Sequence, residues 1–354
     1  MSRQTPDTEQ KRRLGVRIAV FASLVLLCAV VALVVLARSG SDDPKKGKSQ
    51  ELSVVPGPRQ LPKLMQEPHV LFQNTDLGAD YSKVEVVPRT DPRGARTVTP
   101  LTCSRVAMEN GIGVCLFTDA GVVNHYKGEI FDQNFKVIHS FQLVGLPSRT
   151  RLSPNGHWAA MTVFVSGDSY ASAGFSTRTT FVDTSTGKST VNLERFDVTD
   201  NGAPVTNPRR NYWGVTFESD NDHSFATLGI DQKTWLIEGS VSSRSAHTVR
   251  TSMECPSLSP DQTRIAYKKR IGGTTTAIKW RLHVYNLQTG ADVAIAETRS
   301  VDDQVEWLDD HTLLYSLPRS PTGTVIKDTY EVPADGTGHP ELFIKASWSP
   351  AVGP

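Results

Sequence analysis

Two periodicities divide this chain. From Ile18 to Ala37, 20 consecutive residues (IAVFASLVLLCAVVALVVLA) carry no charge. At 1.5 Å of rise per residue such a run predicts a helix of about 30 Å, one hydrocarbon core thick. Past residue 68 the pattern becomes short alternating apolar and polar runs divided by Gly, Asn, Asp and Pro, which predicts strands and tight turns.

The strand region repeats itself. RVAMENGIGVCLF (105–117), RLSPNGHWAAMTVF (151–164), TFESDNDHSFATL (216–228), SLSPDQTRIAYKK (257–269) and EWLDDHTLLYS (306–316) each read as strand, polar turn, strand. The last apolar residue before the turn is large in every copy: Val106, Leu152, Phe217, Leu258 and Trp307. Trp348 in SWSP begins a sixth copy that stops near the end of the sequence. A second phrase follows each of the five: GEIFDQN, TTFVDTSTG, TWLIEGS, LHVYNLQTG and TYEVPADG. Each repeat thus holds four strands, the content of one propeller blade. The strands missing from the sixth copy stand at the front, in HVLFQNTD (69–76), KVEVVPRTDPRG (83–94) and RTVTPLT (96–102). The expected fold is therefore all-β: a six-bladed β-propeller, its last blade mixed from N- and C-terminal strands, preceded by one transmembrane helix.

Ser153-Pro154-Asn155-Gly156, Ser259-Pro260-Asp261 and Ser349-Pro350 resemble the SPDG phrase of TolB-type propeller repeats. The other blades depart from it, with AMENG, ESDND and LDD. The resemblance covers most of residues 69–350 and implies the TolB-like fold of a membrane-anchored bacterial protein, of actinobacterial type. It is unspecific for function, because the fold serves binding platforms, lyases and the gating domains of peptidases.

Arg3, Lys11, Arg12, Arg13 and Arg17 against Asp7 and Glu9 make a basic tail over residues 1–17. That tail should face the cytoplasm, leaving the C-terminal domain outside. A cleaved signal peptide would have a shorter apolar run and a small-x-small cleavage site, and a lipoprotein would not place Leu26-Leu27 before Cys28. Residues 38–68, with Pro44, Pro56, Pro58, Pro62 and Pro68 among Gly, Ser, Asp and Lys, read as an extended stalk that buries no core. The domain then runs over 69–354.

The formal net charge is +1, so no chain-wide field recruits nucleic acid. Cys103 and Cys115 flank one hairpin and form the plausible disulfide, which suits an oxidising compartment; Cys255, in the opposite blade, should be a lone buried thiol. The sequence has no Asn-x-Ser/Thr sequon, which favours a bacterial envelope.

No Gly-x-Ser-x-Gly elbow, His-Glu-x-x-His, Walker loop or Cys-x-x-Cys occurs, so no catalytic residue, metal or cofactor is expected. His157, His223 and His311 recur at equivalent turn positions but read as solvated turn residues a blade width apart. The candidate ligand-binding residues are those predicted to line the channel face: Arg105, Arg149, Arg151, Tyr212, Trp213 and Asp303, with Glu254, Asp302 and Lys345 nearby. The segments 166–178 and 197–210 are expected to be further surface loops. These features point to a binding or scaffold module for a cell-envelope protein or glycan. A glycan-processing lyase or hydrolase and the ectodomain of an envelope sensor are the alternatives.

Overall fold

The computed structural model describes residues 61–121, 124–165, 176–274, 277–320 and 325–354, together with Ser23 and Val54–Val55. The anchor at 18–37, apart from Ser23, and the basic tail lie outside the described residues. Among those described, no helix is long and apolar enough to cross a membrane.

The strands form six sheets, and the fold is a six-bladed β-propeller. Blade 1 runs from Arg105–Glu109 through Ile112–Asp119 and His125–Asp132 to Val137–Gln142. Blade 2 runs from Leu146–Leu152 to Lys188–Asn192, blade 4 from Glu254–Leu258 to Asp292–Ala294, and blade 5 from Glu306–Trp307 to Glu341–Ile344. Blade 3 runs from Arg210–Phe217 to Ser245–Thr251 and carries two extra strands at its edge. In blade 6, Ser347–Val352 pairs antiparallel with His69–Asn74, which leads on to Lys83–Pro88 and Arg96–Thr102. The first strands of neighbouring blades touch in a cycle, ending with Ser347–Val352 against Arg105–Glu109.

The period-2 alternation explains the core. Successive side chains of a strand face opposite neighbours, so Ile265 packs toward blade 3 while Ala266 packs toward blade 5. Leu313 and Leu314 divide in the same way between blades 4 and 6. The apolar core is accordingly split into six layers, one between each pair of adjacent blades.

The SPDG-like turns are held by their own side chains. Ser153 Oγ donates to Asn155 Oδ1 at 2.8 Å and accepts from the Trp158 N–H at 2.9 Å. Ser259 repeats this with Asp261 and the Arg264 N–H. These turns also touch one another, contrary to the expectation of a blade-width separation: the Asn155 N–H donates to Asn221 Oδ1 at 2.7 Å and the Asp261 N–H to Asp310 Oδ1 at 2.9 Å. The inner strands converge toward the channel, so the hairpin ends meet. His223 meanwhile bonds its own turn's Asp220, and among the described residues no cluster of metal-ligating side chains occurs.

Two segments differ from their expected form. The stalk was expected to stay extended through residue 68, yet Leu61–Leu64 is a short helix whose two leucines are buried against blades 6 and 1. Leucines at i and i+3 share a helix face, and Pro62 sits in the first turn, where proline is tolerated. Val54–Val55 adds a parallel strand beside Arg96–Thr97. The expected loop at 197–210 contains a hairpin, Asp197–Asp200 with Ala203–Pro204, joined in parallel to the outer strand of blade 3. Its turn is Asn201-Gly202, both at positive φ (49° and 82°), as a two-residue hairpin turn requires.

Candidate functional site

At one mouth of the channel the inner strands depart from regular pairing. Their registers shift near Ser148 in blade 2, Gly214 in blade 3, Cys255 in blade 4 and Ser349 in blade 6. A bulge re-aims the side chains beside it. Gly214 sits at φ 67°, and a Cβ there would stand 2.8 Å from Cys255 Cα, so glycine is required both for conformation and for space. Ser349, at φ 54°, lies beside Trp348. Trp348 therefore differs from its five repeat equivalents: its indole N–H donates to Asp303 Oδ2 at 2.7 Å instead of lying in a blade-to-blade layer.

Asp303, nearly enclosed on the connection into blade 5, is the hub. Arg105 Nη1 reaches its carboxylate at 2.9 and 3.1 Å, Arg149 Nη1 stands 3.7 Å away, and the Gln304 N–H donates to it at 2.8 Å. Burial pushes this carboxyl up, but Arg105 and then Arg149 outweigh burial and hold it well below the usual carboxylate range. Arg149 also donates from Nε to the buried Cys255 thiol at 3.3 Å. Deeper in the channel Arg151 pairs with Glu306 at 2.6 Å and donates to the Val305 carbonyl. On the blade-4 side, Lys268 is bonded to Asp302, stands 4.0 Å from Glu254, and lies 4.1 Å from the Trp280 ring centre. Burial raises the Glu254 carboxyl against the pull of Lys268.

The structure thus brings Arg105, Arg149 and Asp303 into one cluster and places Arg151 just behind it. Trp213 is half-buried at the blade-3 bulge, its ring over Gly229, where a Cβ would come within 2.4 Å of it. Tyr212 does not reach the mouth. It is fully enclosed between blades 2 and 3, and burial pushes its hydroxyl up to about 12. Adjacent strand positions face opposite ways, so Trp213, at the bulge that follows, lies on the other side of the strand from the enclosed Tyr212.

Sequence reasoning missed Lys268, Lys327 and the outward role of Trp348. Lys327 opens the strand Lys327–Pro333, and its ammonium lies 3.1 Å from the Trp348 ring centre. Arg105 lies over the same ring at 3.9 Å. Burial, reinforced by Arg105 and Arg149 and opposed by Asp303, pushes the Lys327 ammonium down to about 8. Away from the channel, a groove of about 510 Å³ runs between Leu61-Pro62, Val98–Pro100 and Gln133-Asn134. Cys103 and Cys115 are bridged with Cα atoms 5.4 Å apart, and Cys255 is free and buried.

No protein-family profile matches the chain, and no curated protein does so by sequence. Solved structures do. TolB from Acinetobacter baumannii is 15% identical with a TM-score of 0.56, over 81% of this chain and 67% of TolB. A chain of a nidogen/laminin complex is 9% identical with a TM-score of 0.53, over 81% of this chain and 98% of the other. A Mycobacterium tuberculosis puromycin-hydrolyzing peptidase matches more weakly, at 13% identity and a TM-score of 0.45, and this chain spans 43% of its length. At such identities the likeness to TolB and to the nidogen/laminin chain is one of fold: this chain shares their β-propeller architecture.

Proposed function

We propose that the chain is a single-pass membrane protein, anchored through residues 18–37 with its N-terminus in the cytoplasm, whose extracytoplasmic propeller binds a cell-envelope protein or glycan. The observation that carries a binding role is the organisation of the channel mouth. Asp303 is held by Arg105 and Arg149 and Asp302 by Lys268, while Glu306 stands 2.6 Å from Arg151 and Glu254 4.0 Å from Lys268. A cross-linked, preorganised polar surface suits recognition, because little side-chain freedom is lost when a partner docks. It suits proton transfer less, since an acid or base must be free to exchange its proton at working pH. The Cys103–Cys115 bridge supports an oxidising location. TolB and the nidogen/laminin chain, likewise propellers, are consistent with a docking role.

Site-specific cross-linking in intact cells tests the reading. A photoreactive residue at Trp213 should capture a discrete envelope component that one at Lys188, on the outer strand of blade 2, does not. Equal capture at both positions would overturn a role for the mouth. Labelling of an introduced surface cysteine by a membrane-impermeant reagent tests the orientation, and labelling only after lysis would overturn it.

A further inference from the structure

The cations at the channel mouth outnumber the acids. Arg105, Arg149, Lys268, Arg270 and Lys327 face Asp303, Asp302 and Glu254. Arg105, Arg149 and Lys268 each have a carboxylate within 4.0 Å, and Arg270 reaches Gln232 Oε1 at 3.5 Å. Lys327 is different. Among the described residues no carboxylate comes within ion-pair distance of its ammonium, and its close neighbour is the face of Trp348. A half-buried ammonium whose close contact is an indole face is undersolvated and has no counter-charge in direct contact.

The chemistry also selects the partner. Sugar rings stack on bare aromatic faces, but here Trp348 is covered by Arg105 and Lys327 and Trp280 by Lys268, and Trp213 has its ring laid against Gly229. Asp303 and one oxygen of Asp302 are already bonded to guanidinium, ammonium and indole donors. What the mouth offers is positive charge held in place over tryptophan.

We propose, building on the binding role above, that this mouth receives an acidic peptide segment of a protein partner, with an Asp or Glu carboxylate of that segment pairing with Lys327 at the rim of the Arg105–Asp303–Arg149 cluster. The incoming carboxylate supplies the missing counter-charge. It leaves the existing pairs intact and gains from the surrounding guanidinium field, which steers acidic partners toward the channel.

The test is titration of the full-length chain, in neutral detergent at low salt, with hexaglutamate, hexaglutamine and an oligoglucuronate of equal charge. Hexaglutamate should bind and hexaglutamine should not. Lys327→Met should weaken hexaglutamate about tenfold, as loss of one charge-assisted contact implies. Lys327→Arg should retain binding, and Lys188→Met, on the outer strand of blade 2, should change nothing. Melting curves identify any variant that fails to fold, and Lys327→Gln then replaces Lys327→Met. Absence of hexaglutamate binding, equal binding by Lys327→Met, or tighter binding of the oligoglucuronate would each overturn the proposal. Capture at Trp213 without hexaglutamate binding would remove the acidic-peptide assignment and leave the broader binding role standing.

Discussion

Arg105 Nη1 and Asp303 Oδ2 lie 2.9 Å apart although 198 residues separate them in the chain. The pair joins blade 1 to the approach to blade 5, and with Arg149 and Trp348 it ties four blades together at one mouth. Both partners are close to fully buried, so removing one leaves the other's charge stranded. Asp303→Asn should therefore cost about 3–5 kcal/mol of stability, read from urea unfolding, whereas Arg105→Leu combined with Asp303→Leu should cost less than the two single changes summed. A loss under about 1 kcal/mol for Asp303→Asn would mean that the pair behaves as a solvent-screened surface bridge.

The same carboxylate sets an acid limit. Its folded pKa is depressed, so the stability it contributes is complete above its unfolded value of about 3.9 and is lost as pH falls toward the folded value. The stability difference between the wild type and Asp303→Asn should be flat between about pH 5 and pH 7 and shrink only below about pH 4. A difference that already declines near neutrality would place the control in another group.

The bridge between Cys103 and Cys115 closes a loop with a sequence separation of 12, and both cysteines are fully buried. A loop of that size constrains the unfolded chain enough that replacing both residues by serine should cost about 2–3 kcal/mol. Alkylation of the denatured, unreduced chain should modify two of its four cysteines, Cys28 and Cys255, with mass spectrometry as the readout. Modification of all four would show that the bridge does not form in the isolated protein.

The blades were legible because their signals are local. Ser153 and Asn155, or Ser259 and Asp261, form their bonds within two residues, so the strand–turn–strand phrase is written in consecutive positions. The mouth was partly legible, in that Arg105, Arg149 and Asp303 follow from where inner strands begin. That they meet at one hub depends on contacts over 100 residues or more and has no local signature. Tyr212 and Trp213 could not be told apart without the bulge at Gly214, beside which Trp213 stays half-buried while Tyr212 is enclosed. Lys327 is the first residue of a third strand, and nothing adjacent to it marks it as a channel residue. The hairpin at Asp197–Pro204 did carry a signal, Asn201-Gly202, but its polar strands concealed it.

Lys327 gives the mouth a response at alkaline pH. Its ammonium is pushed down to about 8 from an ordinary Lys value of 10.5. Between those two values the unfolded chain binds more protons than the folded one, so this residue makes stability rise with pH across that window. Asp303, Arg105 and Arg149 are the charged groups that act on it most strongly. The wild type should gain stability relative to Lys327→Met from about pH 8 to about pH 10, and its affinity for hexaglutamate should fall over the same range as the ammonium loses its proton. Stability curves that run parallel through this window would show that Lys327 titrates at its ordinary value.

The strand Ser347–Val352 gives the last prediction its force. It pairs with His69–Asn74 on one side, and its Ala351 and Ser347 are buried. Trp348 reaches Asp303, and the Ser349 hydroxyl accepts from the Val106 N–H at 3.2 Å, so blades 1, 5 and 6 all depend on it. Deleting residues 345–354 would bare the backbone of His69–Asn74, and an unpaired strand edge pairs readily with other chains. It would also take from the mouth the indole donor to Asp303 and the aromatic face that Arg105 and Lys327 share. The truncated chain should therefore aggregate or unfold, seen as void-volume elution in size-exclusion chromatography and loss of the cooperative melt. Adding back a peptide of the deleted sequence should restore part of that melt, because the pairing surface on His69–Asn74 remains. A truncated chain that stays monomeric with an unchanged melting temperature would show that the ring holds without the strand contributed by its C-terminal end.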